Sequence, residues 1–360
     1  MKKLFVIFAA VALIWAFAAP ASAVDWNFYG SARMATYWTS SDSGKDALGD
    51  KKEDQDLDWA WQNNSRIGAN VKGENVSGRF ELGLGANGGS DLDVTTRRLE
   101  ANWDFGAGTL SVAKGYTSFN QFISGQVGRR DNGLLGRGFM YAGRPGHLGL
   151  SFGGFRVQLI DIQTSDFGLT GVDIDTYFPK VEASWGMAFD TFSFQLRGGY
   201  QQYSLDNVGA NDKNFDVTSV GLGAEANFNF GPVRLGGGLS YAQNGSDARW
   251  TGAGAMLNTA KDDIKDTDTT RGGVVVGFKM SDMVSFEGGF GYRVDDFDGK
   301  KADGSSIDDT DTFEFYVQSV IGLAPGVYII PEFGYADIDK DGSNSDATDY
   351  YLGAKWQIDF

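Results

Sequence analysis

The sequence predicts an all-β protein that forms one closed, antiparallel transmembrane β-barrel of about 16 strands. After residue 23, no apolar run is long enough for a membrane-spanning helix. Segments of ~10 residues alternate instead between apolar and polar side chains, which is the expected span of a tilted barrel strand. The 51 glycines and the aromatic content of 14% also disfavour a helical protein.

The amino terminus predicts a cleavable secretory signal. Two lysines precede an apolar run from Leu4 to about Ala18, and Ala21-Ser22-Ala23 supplies small residues for cleavage. The run is shorter than the ~20 apolar residues that span a bilayer as a helix. We therefore expect residues 1–23 to be a signal peptide and residues 24–360 to form the barrel. An uncleaved anchor helix is the alternative.

Individual strands are predicted from period-two alternation. In residues 76–87, Phe80, Leu82 and Leu84 lie opposite Arg79 and Glu81. The same pattern predicts strands over residues 181–189, 191–203, 219–230, 233–242, 271–280, 284–293, 312–323 and 327–335. Pro331 lies inside the last of these segments and removes one backbone donor, so we expect a β-bulge there.

Short and long connections alternate between these segments. Short turns are predicted at residues 73–75, 106–108, 231–232, 281–283 and 324–326. Long loops are predicted at residues 40–56, 120–146, 164–180, 206–218, 245–270, 295–311 and 340–349. This asymmetry predicts short periplasmic turns and long extracellular loops.

The last strand carries the most specific short pattern. Trp356, Ile358 and the terminal Phe360 share one apolar face. This pattern resembles the closing strand of Gram-negative outer-membrane proteins, where it serves as the assembly signal. By architecture, residues 24–360 resemble the 16-stranded, trimeric general-diffusion porins.

The resemblance implies an outer-membrane, multi-pass barrel that is inserted by the barrel assembly machinery and contacts lipid and lipopolysaccharide. It also implies a homotrimer with one pore per subunit. Asn63 and Ser65 fall on the predicted outward face of the second segment, where polar side chains facing lipid are unfavourable. We expect this face to contact another subunit.

A barrel of 16 strands encloses an aqueous lumen, so the predicted function is a channel for passive diffusion of small hydrophilic solutes and ions. The early segments place a basic wall on the inner face, consisting of Arg33, Arg66, Arg79, Arg98 and Lys114. The later segments place an acidic wall there, consisting of Glu182, Glu225, Glu287, Glu314 and Glu332. Facing each other, these walls would create a transverse field. Alternatively, these positions are polar only because they face water.

Residues 120–146 occupy the position of the loop that folds into the lumen of general-diffusion porins, which implies a constriction loop. Its charged residues are Arg129, Arg130, Asp131, Arg137 and Arg144. The inserted loop of that family is typically acidic, and this one departs from the pattern. The four arginines predict a preference for anions. A lid outside the pore is the alternative.

Other functions are disfavoured by composition. The net charge of −16 argues against nucleic-acid binding, which needs a basic surface. His147 is the only histidine, and no serine stands in a recognisable nucleophile setting, so we expect no enzyme activity. A substrate-specific channel for a sugar, phosphate or another anion is the main alternative, and a structural or adhesive barrel is the third.

No cofactor is expected. Asp337, Asp339 and Asp341 match the opening of an EF-hand calcium loop, with Gly342 at its sixth position. Thr348 replaces the closing glutamate, and no flanking helices are predicted. Calcium held by these three aspartates is therefore only an alternative.

Overall fold

The computed structural model describes residues 24–45, 51–86, 92–128, 131–208, 213–257, 264–298, 307–338 and 347–360. Within these ranges, 18 hydrogen-bonded segments form a single sheet of 16 barrel strands, because two strands are interrupted once. None of the described residues forms a helix that is long and apolar enough to cross a membrane.

The strands follow one another around the barrel in chain order. They are β1 (Asp25–Lys45), β2 (Lys51–Trp61 and Arg66–Lys72), β3 (Val76–Ala86), β4 (Leu92–Asp104), β5 (Thr109–Lys114), β6 (Gly146–Phe152), β7 (Phe155–Ile160), β8 (Asp173–Asp175 and Lys180–Ala188), β9 (Phe192–Val208), β10 (Lys213–Phe230), β11 (Val233–Gln243), β12 (Thr267–Lys279), β13 (Val284–Phe297), β14 (Thr310–Ala324), β15 (Val327–Ile338) and β16 (Ala347–Asp359).

The barrel is closed by its first and last strands. β1 pairs with β16 from Ser31↔Asp359 to Asp42↔Thr348, and its other edge pairs with both parts of β2. Gly30 and Phe360 exchange two backbone hydrogen bonds of 2.6 and 3.0 Å at the end of this seam. The predicted antiparallel barrel of 16 strands is therefore confirmed.

The outer face is apolar, as the alternation predicts. On β16, Trp356, Ile358 and Phe360 are exposed, whereas Tyr351 and Lys355 are buried on the inner face. An apolar exterior over tilted strands is typical of a surface that faces lipid. The role of Trp356, Ile358 and Phe360 in assembly stays a prediction.

Strand ends agree with the sequence prediction at the short turns but extend further on the opposite side. β9 and β10 pair as far as Val208↔Lys213, where the sequence predicted a loop over residues 206–218. β1 and β2 likewise pair to Lys45↔Lys51, within the predicted loop over residues 40–56. Hydrophobic alternation stops where a strand leaves the bilayer, but the backbone continues to pair. These two loop predictions were therefore wrong over most of their length.

Two local expectations were also wrong. β2 is interrupted at residues 62–65, where the Ser65 hydroxyl accepts a hydrogen bond from the backbone N–H of Arg33 (3.0 Å). Ser65 is fully buried and Asn63 lines the lumen, so neither is available to another subunit. At Pro331 there is no bulge, because the β14–β15 register is unchanged on both sides of it; the irregularity lies at Gly322 and Ala324.

Candidate functional site

In the segment that connects β5 and β6, residues 115–128 and 131–145 lie inside the barrel. Phe119 packs on Gly221 of β10, where a Cβ atom would come within 2.5 Å of the phenyl ring. Ile123 packs on Gly236 of β11, where a Cβ atom would lie 2.7 Å away. The inward-facing glycines that receive the loop are Gly199, Gly221, Gly236, Gly238, Gly273, Gly289 and Gly291. The loop therefore packs against the barrel wall where inward-facing glycines leave room for it, and it is not an external lid.

The predicted acidic wall lies under this loop. Glu332 accepts hydrogen bonds from the backbone N–H groups of Val127 (2.7 Å) and Gly128 (2.6 Å). Glu287 accepts one from the backbone N–H of Gly125 (2.6 Å). Because carboxylates make strong hydrogen bonds with N–H donors, these two side chains fix the middle of the loop to the barrel.

The other three acids also face the loop or its neighbours. Glu314 accepts from the side chains of Gln126 and Arg137, the latter at 3.1 Å. Glu182 accepts from the backbone N–H of Phe119 (3.3 Å). Glu225 pairs at 2.6 Å with Arg197, which donates to the backbone of Asn120 at 2.8 Å. The structure thus places all five glutamates on the inner wall, where four contact the inserted segments directly and Glu225 does so through Arg197. The transverse field stays a prediction.

The predicted basic wall is placed differently for each residue. Arg33 pairs with Asp131 of the loop at 2.6 Å. Arg79 and Arg66 lie 2.9 and 3.6 Å from Glu81, and Arg98 lies 2.6 Å from Glu100. Lys114 ends β5 opposite the outward residue Leu99, but its ammonium donates to the carbonyl of Arg144 in the loop at 3.2 Å and lines the cavity described below.

One lumen residue, Arg97, was missed by the sequence analysis. The β3–β4 register shifts between Glu81 and Leu82, so Arg97 is an extra residue in β4. A bulge re-aims a side chain, and here both Arg97 and Arg98 point inward; Arg97 donates to Glu81 at 2.8 Å. The signal was the break in alternation at the Arg-Arg pair.

Asp131 is the acid of the loop and is held by two cations. Its carboxylate lies 2.6 Å from Arg33 and 2.9 Å from Lys355, and it also accepts from the Asn64 amide. Burial raises the pKa of Asp131, but Lys355 and Arg33 outweigh this effect and lower it. The carboxylate is therefore charged but compensated. Arg129 and Arg130 lie outside the described residues.

A second segment, residues 244–257, also folds inward and was predicted as part of an external loop. Trp250 stacks on Phe119 with ring centroids 4.5 Å apart, and its indole N–H donates to Glu182 at 2.8 Å. The Lys180 ammonium donates to the carbonyl of Ala248 at 2.7 Å. A lone tryptophan in a polar loop was the only sequence signal for this insertion.

Beside the two inserted segments lies a cavity of about 1150 Å³. Its basic lining residues are Arg66, Arg97, Lys114, Arg144, Arg249 and Arg293, and its one acid is Asp131. Lys114, Arg144 and Arg249 make no ion pair within the part of the chain that the structure describes. Arg144 instead stacks on the Tyr116 ring at 5.2 Å.

The remaining candidates form no recognisable site. His147 is buried on β6, with its Nδ1 atom 3.2 Å from the carbonyl of Pro145. Asp337 accepts a hydrogen bond from Tyr335 at 3.1 Å, while Asp339 and Asp341 lie outside the described residues. Among the described residues, no group of three or more His, Cys, Asp or Glu side chains could hold a metal ion. The expectations for enzyme activity and calcium stay predictions.

No protein-family model and no curated protein matches the chain. Solved structures do match. The outer membrane channel DcaP of Acinetobacter baumannii has 16% identity and a TM-score of 0.73, covering 95% of this chain and all of that one. OmpT of Vibrio cholerae in its trimer form (15%, TM-score 0.56) and an anion-selective porin from Comamonas acidovorans (14%, TM-score 0.53) each cover 93% of this chain and 100% of their own. This chain has the fold of the outer-membrane porins.

Proposed function

We propose that the protein is an outer-membrane channel for passive diffusion of small hydrophilic solutes and that its lumen prefers anions. The observation that carries the proposal is the cavity lining, with six basic residues against Asp131 alone. Fixed charges on the low-dielectric walls of a pore raise the local concentration of counter-ions. Because Asp131 is already paired with Arg33 and Lys355, its charge offsets little of this basic surface.

The constriction is proposed to lie where the inserted loop meets the segment over residues 244–257. Both segments occupy the lumen on the side of β8–β16 and narrow the free space toward β2, β4 and β5. Arg144 of the loop and Arg249 of the second segment face this space. Solutes crossing the barrel would pass these two cations.

The structural neighbours support the same proposal through their names. One is an outer membrane channel, one is an anion-selective porin and one is an outer-membrane protein in a trimer form. We therefore propose a homotrimer in the outer membrane of a Gram-negative bacterium, surrounded by lipid and lipopolysaccharide. The barrel assembly machinery would recognise Trp356, Ile358 and Phe360, and the protein would need no cofactor and have no enzyme activity.

The test is a reversal potential across a planar bilayer with a potassium chloride gradient. We expect chloride to pass more readily than potassium, with trimers closing in three equal steps. The variant Arg249→Gln removes an unpaired cation and is expected to reduce the preference. Lys279→Gln is the matched control, because Lys279 pairs with Asp282 at 2.7 Å at a short turn. A preference for potassium in the unaltered protein would overturn the proposal.

A substrate-specific anion channel is the second candidate. It is favoured by the three cations without ion-pair partners, since Arg144 and Arg249 both repel the Lys114 ammonium and a bound anion would relieve that repulsion. A binding site of this kind saturates. Chloride conductance that levels off as salt rises, or that phosphate or a sugar phosphate blocks, would favour this candidate over simple diffusion.

A further inference from the structure

One phenyl ring of the inserted loop faces the water of the lumen. Phe122 lines the cavity of about 1150 Å³ and is 53% exposed, whereas its neighbours Gln121 and Ile123 are buried against the barrel wall. Its ring centroid lies 4.7 Å from that of Tyr116 and 6.4 Å from that of Tyr141, and both contacts are edge-on. Because burial of apolar surface is favourable, this fixed and exposed ring offers a contact surface to a solute.

Tyr116 connects this ring to the unpaired cations of the cavity. Arg144 donates to the Tyr116 hydroxyl at 2.9 Å, and its guanidinium lies 5.2 Å from the centroid of the ring. The Lys114 ammonium donates to the carbonyl of Arg144 at 3.2 Å. An anionic group that pairs with these two cations would therefore lie beside an aromatic surface.

The same cavity also has neutral hydrogen-bonding groups. Asn63 reaches it where β2 is interrupted, at residues 62–65. Exposed Thr95, Asn132 and Ser246 line it as well. Amides and hydroxyls both donate and accept hydrogen bonds, whereas guanidinium and ammonium groups only donate. The lining therefore includes acceptors, which a carboxylate alone cannot use.

These aromatic, cationic and neutral polar surfaces together fit one class of solute. An acidic monosaccharide has an apolar C–H face, an anionic group and several hydroxyls that donate and accept hydrogen bonds. Inorganic phosphate lacks the apolar face, and a neutral sugar lacks the charge. An aromatic carboxylate lacks the hydroxyls, and a site with polar groups placed for hydroxyls discriminates against analogues without them.

We propose that the lumen cavity is a binding site for an acidic monosaccharide. The sugar ring would stack on Phe122, its carboxylate would pair with Lys114 and Arg144, and its hydroxyls would bind the neutral groups, Asn63 among them. This inference rests on the proposed function, since it names the class of anion that the lumen prefers. A solute bound in this way would occupy the free space of the pore and interrupt the ion current.

The test is block of the chloride current across a planar bilayer by four added solutes. Glucuronate carries all three features, glucose lacks the charge, benzoate lacks the hydroxyls and inorganic phosphate lacks the apolar face. We expect saturable block by glucuronate. Its half-blocking concentration should be lower than that of each other solute by roughly tenfold or more, because each of them lacks one set of contacts.

Two variants assign the block to the cavity. Phe122→Leu keeps an apolar side chain but removes the aromatic face, so the half-blocking concentration of glucuronate should rise roughly 2- to 10-fold. The matched control is Phe105→Leu, because Phe105 lies at the short turn after β4 and packs on the outward Trp103, with ring centroids 5.7 Å apart. Asn63→Ala should weaken block by glucuronate and leave block by benzoate unchanged, since benzoate has no hydroxyl.

The outcomes separate this inference from the proposed function. Block by glucuronate that weakens in Phe122→Leu and not in Phe105→Leu supports the binding site. Equal block by benzoate or by phosphate would overturn it, because the hydroxyls or the ring would then contribute nothing. Chloride preference without block by any of the four solutes would overturn this inference and leave the proposed channel standing. A preference for potassium in the absence of added solute would overturn the proposed function and this inference together.

Discussion

Seating of the inserted loop depends on glycines of the barrel wall, and Gly199 on β9 offers the sharpest test. A Cβ atom at this position would lie 2.5 Å from the Trp250 ring and 2.9 Å from the Phe119 ring. Both rings are almost fully buried and stack on each other, and each comes from a different inserted segment. Gly199→Ala therefore forces at least one segment away from the wall.

The size of the effect follows from the packing. Carbon atoms are in favourable contact at ~3.5–4.0 Å, so the Trp250 ring must move by about 1 Å or more. Overpacking a well-filled site costs about 1–3 kcal/mol. A cost of about 2 kcal/mol would change the ratio of seated to displaced loop by roughly 30-fold. We expect more frequent partial closures and a broader distribution of single-channel conductance.

The adjacent Gly198 supplies a matched control on the same strand. Its Cβ position points outward and meets Leu222 at an ordinary 3.7 Å. Gly198→Ala should leave the conductance unchanged, and both variants should show the same heat-dependent gel shift of a folded barrel. If Gly199→Ala and Gly198→Ala give the same conductance traces, the inward-facing glycines do not determine the position of the loop.

Three further predictions concern other contacts. Glu332→Gln weakens the hydrogen bonds from the N–H groups of Val127 and Gly128, and a hydrogen bond to a charged group contributes about 1.5–3 kcal/mol to stability. The loop should therefore leave the wall more often, and trypsin should cleave it faster. Asp131→Asn leaves Arg33 and Lys355 without their carboxylate partner, so the reversal potential should shift toward stronger anion preference. Deletion of Phe360 uncovers Gly30, which its ring contacts, and should lower the amount of folded barrel in the outer membrane.

Each of these three predictions can be contradicted by one result. Equal cleavage rates for Glu332→Gln and the unaltered protein would show that other contacts suffice to hold the loop. An unchanged reversal potential for Asp131→Asn would mean that permeating ions do not sense this carboxylate. Full yield of folded barrel without Phe360 would exclude it from the assembly signal. The control for loss of apolar surface is Leu235→Ser, a substitution of an outward residue on β11.

The outer face of the barrel is predictable from sequence because lipid imposes period-two alternation. On β16, every residue expected outward from Trp356 to Phe360 is exposed. The alternation is lost where strands rise above the bilayer, which is why the ends of β9 and β10 were not predicted. It also fails at Arg97, where an extra residue changes the face to which the chain points.

The inner face is harder to predict because it carries two kinds of surface. Gly221 and Gly236 fall on the faces of residues 219–230 and 233–242 that alternate with apolar side chains, but nothing in the local sequence indicates that a distant segment packs on them. Glu332 likewise has the same sequence signature whether it faces water or the backbone N–H groups of Val127 and Gly128. What indicates the packing site of the inserted loop is the number of inward glycines on consecutive strands, which no single strand shows.

The two uses of charge explain how a chain of net charge −16 encloses a basic lumen. Carboxylates accept hydrogen bonds from the backbone N–H groups of an inserted loop, so Glu182, Glu287 and Glu332 serve as anchors and are withdrawn from the water. Some cations also serve as anchors, because Arg197 and Lys180 donate to backbone carbonyls of the inserted segments, whereas Arg144 and Arg249 face the cavity. We therefore expect the selectivity of such a pore to depend on which charges the inserted loop binds rather than on the total charge of the chain.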